Sequence, residues 1–188
     1  ATPTARVSSD RGEKWPGNPT ALSTLDTQRY QFRLVAVSGG KAHALWTDAR
    51  NGGGGDLVSI WMRTTTNGGT SWNPDKRVNI PNPEIAPEEF ERATEPAICA
   101  YGSNFFAVWR DKRHPSNNQN LLPWPGQIRL RYSTNDAASF LPASSEIRLD
   151  RGDTSPAETE SQKPAIACRA DGTVVVAWQD ARAGNDDI

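Results

Sequence analysis

Carboxylates and guanidinium groups recur together at a fixed spacing in this 188-residue chain. Trp46-x-Asp48-x-Arg50, Trp109-x-Asp111-x-Arg113 and Trp178-x-Asp180-x-Arg182 each place an acid two residues from a base. Such a pair could clamp an anionic ligand bidentately, or tie a strand to its neighbour. Because the pattern repeats, the structural tie is the expected role. Two further segments carry dense functional groups. Residues 82–95 are strongly acidic, with Glu88, Glu91 and Glu95 beside Arg92. Residues 110–127 set Trp124 between two prolines, where its ring would either stack on a sugar or pin its own loop. Glu158 and Glu160 form a smaller acidic group. Glu91, Arg92, Arg50 and Trp124 are the candidate ligand contacts. His43 and His114 have no partner at metal-ligand spacing, so no metal centre is expected. Acidic loops leave Ca²⁺ possible, without any EF-hand-like spacing. Cys99 and Cys168 each precede a motif tryptophan by the same interval and are expected as buried thiols on equivalent strands. Arg151-Gly152-Asp153 is too short a match to carry weight.

The elements that position these residues are repeats. Ser8-x-Asp10-x-Gly12-x-x-Trp15 and Thr65-x-Asn67-x-Gly69-x-x-Trp72 share one pattern, and Ser133-x-Asn135-x-Ala137-x-x-Phe140 is a degraded copy. An Asp or Asn two residues after Ser/Thr can fold over the following backbone amides. Glycine then supplies a left-handed turn position. The closing aromatic is expected to plug back under the turn and anchor it to the core. The segments 32–46, 95–109 and 163–178 each read as strand, turn, strand. Two motifs alternating at roughly 60 residues therefore predict four antiparallel strands per unit, the makeup of a propeller blade. Fourteen prolines and fifteen glycines suit such an all-β chain.

The Ser/Thr-x-Asp/Asn-x-Gly-x-x-Trp turn resembles the Asp-box, or BNR repeat, of the sialidase superfamily, and the resemblance runs through essentially the whole chain. It implies structural turns away from the active-site face. It also implies six blades, a secreted, periplasmic or cell-surface setting, and a glycan or protein ligand. About three blades fit here: the end of one in 1–31, then 32–94, 95–162 and the start of a further one in 163–188. A three-blade ring is not expected to close. Set after Ile188, a second Ala1 would put Asp187 seven residues before Arg6 and Arg6 four before Asp10. Asp56, Arg63 and Asn67 stand in the same relation. Half of a six-bladed ring is thus expected, completed by a second copy or by a second half of a longer protein. By the same resemblance, Phe32-Arg33-Leu34 matches the Arg that opens the sialidase site, with Val35 in place of its proline. Arg33 would clamp a substrate carboxylate and Asp56 would act as acid/base. The resemblance also calls for two further arginines and a Tyr/Glu nucleophile pair, to which no residues of this chain are assigned; Glu88, Glu91, Glu95, Glu158 and Glu160 are candidates by loop location alone. Recognition of carbohydrate or protein therefore leads, with a sialidase-type exo-glycosidase and a purely structural scaffold as alternatives.

Net charge of −1 gives no electrostatic case for nucleic acid. No apolar run approaches spanning length. The opening ATPTARVSSD has no signal-peptide pattern and suits a mature end left by processing.

Overall fold

The computed structural model describes residues 4–23, 31–50, 58–81, 92–112, 125–150 and 159–181, and these are all-β. Twelve strands run β1 (Thr4–Ala5), β2 (Thr20–Ala21), β3 (Phe32–Val37), β4 (Lys41–Asp48), β5 (Ser59–Thr65), β6 (Lys76–Arg77), β7 (Ala93–Tyr101), β8 (Asn104–Asp111), β9 (Gln127–Ser133), β10 (Ile147–Arg148), β11 (Ser161–Cys168) and β12 (Val174–Asp180). Two four-stranded antiparallel sheets have the order β3-β4-β5-β6 and β7-β8-β9-β10. β1–β2 and β11–β12 form two-stranded sheets. The first strands β3, β7 and β11 pack side by side.

The three polar turns have one hydrogen-bond pattern. Thr65 Oγ1 accepts from the amides of Asn67 and Gly69 at 3.3 and 3.0 Å, and Asn67 Oδ1 accepts from Ser71 N at 3.0 Å. Ser133 and Asn135 do the same for Asn135, Ala137 and Ser139 at 3.2, 3.0 and 3.0 Å. Ser8 Oγ and Asp10 Oδ1 hold Gly12 and Lys14 at 2.8 and 2.9 Å. The Ser8 hydroxyl and the Lys14 amide keep the Asp10 carboxyl below its usual range. Gly12 and Gly69 sit at φ 89° and 86°, where a Cβ is strained, and Ala137 occupies the same position at φ 60°.

The tryptophan motif is also locally locked. The indole N–H of Trp46, Trp109 and Trp178 donates to Asp48, Asp111 and Asp180 at 3.3, 2.9 and 3.2 Å. Residues two apart share a strand face, so this bond fixes a ring that then packs outward. Trp109 lies in a core with Leu45, Ile60, Met62 and Val78 of the preceding sheet. Trp46 packs likewise with Leu22 and Ala5 of β1–β2. Both full sheets therefore bury their motif tryptophan on the sheet before them, while Trp178 is half-buried.

Polar stitches reinforce the junction between the two full sheets. Lys41 Nζ meets Asp136 at 2.7 Å, and Lys76 Nζ donates to the carbonyls of Ala137 and Ala138. The buried Arg131 guanidinium reaches the carbonyls of Val78 and Pro142 at 2.8 Å each, under the Phe140 ring. His43 is fully buried there, 3.0 Å from Thr64 Oγ1 and tilted against Phe105. Burial, aided by Lys41 and opposed by Asp136, pushes its pKa down to about 4 from 6.5. The unfolded chain then takes up a proton that the native state refuses between those values. Stability is complete above pH 6.5 and falls as pH drops towards 4, by about 3 kcal/mol in total. Urea unfolding at pH 7 and pH 4.5 checks this; His43→Asn is expected to lose that part of the slope.

Two expectations are corrected. Trp15 does not plug its turn: it is 51% exposed, with Nε1 on its own Gly12 carbonyl. Phe140 is buried and Trp72 joins the core around Trp46, because each has a preceding sheet to pack on. Cys99 and Cys168 are not free thiols but a disulfide joining β7 to β11, with Cα atoms 5.9 Å apart. Equivalent positions on adjacent inner strands lie within bridging distance.

Candidate functional site at the mouth of the inner strands

The end of the sheets opposite the polar turns is where β3, β7 and β11 begin. A proline interrupts two of these strands just inside their start, at Pro96 and Pro164. Proline cannot donate to a ladder, and both strands slip register there, between Thr94 and Ala97 and between Gln162 and Ala165. The residue before each proline takes a left-handed conformation, φ 54° at Glu95 and 53° at Lys163. That conformation aims its amide at the neighbouring sheet. Glu95 N donates to Gln31 Oε1, and Lys163 N donates to Glu95 Oε2 at 2.6 Å. Gln31, just before β3, thus holds an amide of β7, and Glu95 of β7 holds one of β11.

Arg110, between Trp109 and Asp111, is the hub of this rim. Its guanidinium meets Glu95 Oε1 at 2.9 Å and Glu160 Oε1 at 2.5 Å. Lys112 Nζ stands 3.6 Å from Glu160 Oε2. All four side chains are partly solvent-accessible. Two carboxylates are therefore gathered by one guanidinium at an accessible rim. These residue types can bind hydroxyl-rich ligands, and paired carboxylates are the machinery of glycoside hydrolysis.

Gly126 makes room for the hub. A Cβ there would lie 2.5 Å from Arg110 Nε, 2.6 Å from Glu160 Oε1 and 2.6 Å from the Ser161 carbonyl. Gly126→Ala is expected to break the Arg110–Glu160 pair and destabilise the chain by about 1–3 kcal/mol, measured by urea unfolding. A change below 0.5 kcal/mol would mean that the rim yields freely.

The sequence candidates are dispersed. Arg33 lies on β3 beside this rim, exposed, donating to its own Phe32 carbonyl at 2.8 Å. It pairs across the strand with Leu45, as Ala97 does with Val108 and Ala165 with Ala177, so it is peculiar to the first full sheet. Arg50 is enclosed instead of facing a ligand. Asp48 and Asp75 hold its guanidinium, which lies 4.1 Å over Trp61, and Asp75 also holds Arg63. Arg92 is exposed in a bridge with Val58, and its carbonyl accepts from Lys112 N. Asp56, Glu88, Glu91, Trp124, Glu158, Arg113, Arg182, His114 and the Arg-Gly-Asp at 151–153 lie outside the described residues. Glu95 and Glu160 are brought together by Arg110, which sequence reasoning missed. Its only signal was being the varying residue between a repeated Trp and Asp. Among the described residues no three His, Cys, Asp or Glu side chains group as a metal site, and no helix is long and apolar enough to cross a membrane.

No protein-family model matches the sequence, and no curated protein does. Solved structures do. An α-L-arabinanase of Penicillium chrysogenum complexed with arabinobiose matches 93% of the chain with a TM-score of 0.56 and 16% identity. A Trypanosoma rangeli sialidase mutant with trans-sialidase activity matches 97% with a TM-score of 0.54 and 13% identity. The chain spans only 48% and 30% of those proteins. At such identities the likeness concerns the fold alone: the chain's four-stranded antiparallel sheets are arranged as in part of these two β-propeller proteins.

Proposed function

We propose that this chain is a partial propeller that recognises carbohydrate at the mouth of its inner strands. The observation that carries the reading is the Arg110-centred cluster, which presents two carboxylates and two cations at the open end of the scaffold. Arg33 extends it on one side. Asp56, Glu91, Arg92 and Trp124 are the flanking candidates, while Arg50 supports its own sheet. The matching bonds at Ser8, Thr65 and Ser133 support reading the three turns as Asp-boxes. The full sheets then correspond to blades 32–94 and 95–162, with parts of blades in 1–31 and 163–188, in a six-bladed ring completed by a second copy or by further repeats. A disulfide suits a secreted, periplasmic or cell-surface protein.

The test is glycan-array binding, including arabinose- and sialic-acid-terminated glycans, with Arg110→Met as the variant. Binding lost in that variant while thermal unfolding still shows a folded chain supports the reading. An array with no binding sinks it. A second reading, glycoside hydrolysis, is favoured by the sharing of one guanidinium between Glu95 and Glu160. It is tested by fluorophore release from sialosides and arabinofuranosides, expected to be lost in Glu160→Gln. A protein-binding scaffold would show neither property.

A further inference from the structure

The polar turn after β5 carries a reactive dipeptide. Asn67 precedes Gly68, and both are exposed. The backbone nitrogen that follows an asparagine can attack the side-chain carbonyl carbon. Glycine is the least hindered neighbour for that step, because no Cβ stands beside its amide. Gly68 N would bond to Asn67 Cγ and close a succinimide ring. The Cγ–Nδ2 bond breaks, and Nδ2 leaves as ammonia with the proton that Gly68 N gives up. Water then adds at either ring carbonyl. One opening leaves aspartate at 67, and the other leaves isoaspartate, with an extra carbon in the backbone. Water is the only co-reactant.

In the folded turn both reacting groups are tied. Gly68 N donates to the Gly40 carbonyl, at the tip of the β3–β4 hairpin, at 2.7 Å. Asn67 Oδ1 accepts from Thr65 Oγ1 at 2.9 Å and from Ser71 N at 3.0 Å, while Nδ2 donates to Ser71 Oγ at 2.8 Å. Attack needs the carboxamide free to rotate and the Gly68 N–H free to lose its proton, and these bonds oppose both. The reaction therefore waits for the turn to open. Its native rate is the free-chain rate multiplied by the open fraction.

The sister turns show what the fold does with the product. Asp10 stands where Asn67 stands. Its Oδ1 accepts from Ser8 Oγ at 2.6 Å and from Lys14 N at 2.9 Å, the counterparts of the two bonds that Thr65 and Ser71 give Asn67. Aspartate at 67 keeps those bonds, and the Ser71 hydroxyl can donate to the new carboxylate. Isoaspartate shifts everything after residue 67 by one backbone carbon. The Gly69 amide then leaves the register in which Thr65 Oγ1 receives it at 3.0 Å. The neighbour matters as well. Asp136 stands where Gly68 stands, at φ 57° beside 68°, and its amide donates to the Ser103 carbonyl at 2.9 Å. A Cβ at Gly68 would meet nothing within 4 Å. The turn does not demand glycine there, yet this turn pairs its asparagine with one, whereas Asn135 is shielded by Asp136.

We propose that Asn67–Gly68 is a self-modifying site that deamidates through the opened turn, with the aspartyl product accepted by the fold and the isoaspartyl product rejected. The site lies at the turn end of its sheet, and the proposal is independent of the carbohydrate reading.

The test is peptide mapping by mass spectrometry after incubation in mildly alkaline buffer, with and without denaturing urea. Asn51–Gly52 is the chain's other Asn–Gly pair, outside the described residues, and serves as an internal clock. In urea, Asn67 and Asn51 are expected to convert at equal rates and Asn135 at least fivefold more slowly. Without urea, Asn67 is expected to convert at least tenfold more slowly than in urea, which corresponds to about 1.4 kcal/mol of turn opening. Thr65→Val, checked by circular dichroism for a folded chain, should raise the native rate and leave the urea rate unchanged. Asn67→Asp should unfold at the same urea concentration as the unaltered chain, and the purified isoaspartyl form at a lower one. Equal native and urea rates at Asn67 overturn the gate. A urea rate no faster than that of Asn135 overturns the site. An Asn67→Asp chain that unfolds as early as the isoaspartyl form overturns the acceptance of the product.

Discussion

Replacing Cys99 and Cys168 together by alanine is expected to lower the free energy of unfolding by about 4 kcal/mol. The bond closes a loop of 69 residues, and the chain-entropy relation gives that magnitude at 25 °C. The effect should be local as well as large. β11 pairs only with β12 among the described residues, so the disulfide is the covalent tie between that hairpin and β7. Hydrogen exchange in the double alanine variant should therefore quicken first in β11 and β12, before β4, β5 and β8. Denaturant melts with and without reductant check the magnitude. A loss below 1 kcal/mol would show that sheet packing alone holds the hairpin.

Trp109→Ala should be comparably severe, about 3–5 kcal/mol, because a fully buried indole leaves a cavity between two sheets. Trp109→Phe separates two contributions. It keeps a ring in the core but removes the N–H that reaches Asp111 at 2.9 Å. The expected loss there is about 1–3 kcal/mol, from the missing hydrogen bond and the smaller ring. Urea unfolding of the two variants, extrapolated to water, gives both numbers. Equal losses would mean that the hydrogen bond, not the packing, is the larger effect.

The turns were legible because their bonds are local. Ser/Thr at one position and Asp/Asn two residues on need nothing beyond the next few amides, so Thr65 and Asn67 declare the turn in any context. The alternation of that motif with Trp-x-Asp then gave the strand order of both full sheets. What depended on neighbouring sheets was not legible. The local pattern at Trp15 promised a buried plug, but burial depends on whether a sheet precedes it. Cys99 and Cys168 occupy the same position in successive units, and sequence spacing does not encode how closely two inner strands approach. Arg50 looked available until Asp75, from the far side of its own sheet, reached it. Arg110 stood hidden in the motif's variable slot, where Thr47 and Gln179 stand in the other units.

The rim at Glu95 also bears on how tightly a ligand could be held. A flexible glutamate ordinarily surrenders rotamer freedom on meeting a ligand, a penalty of about 0.5–1.5 kcal/mol for each such side chain. Here the Lys163 amide and the Arg110 guanidinium already fix the Glu95 carboxylate, and the Gln31 side chain fixes the turn that carries it. The freedom is lost on folding, before any encounter. A rim preorganised in this way can favour one ligand shape over another without first becoming ordered.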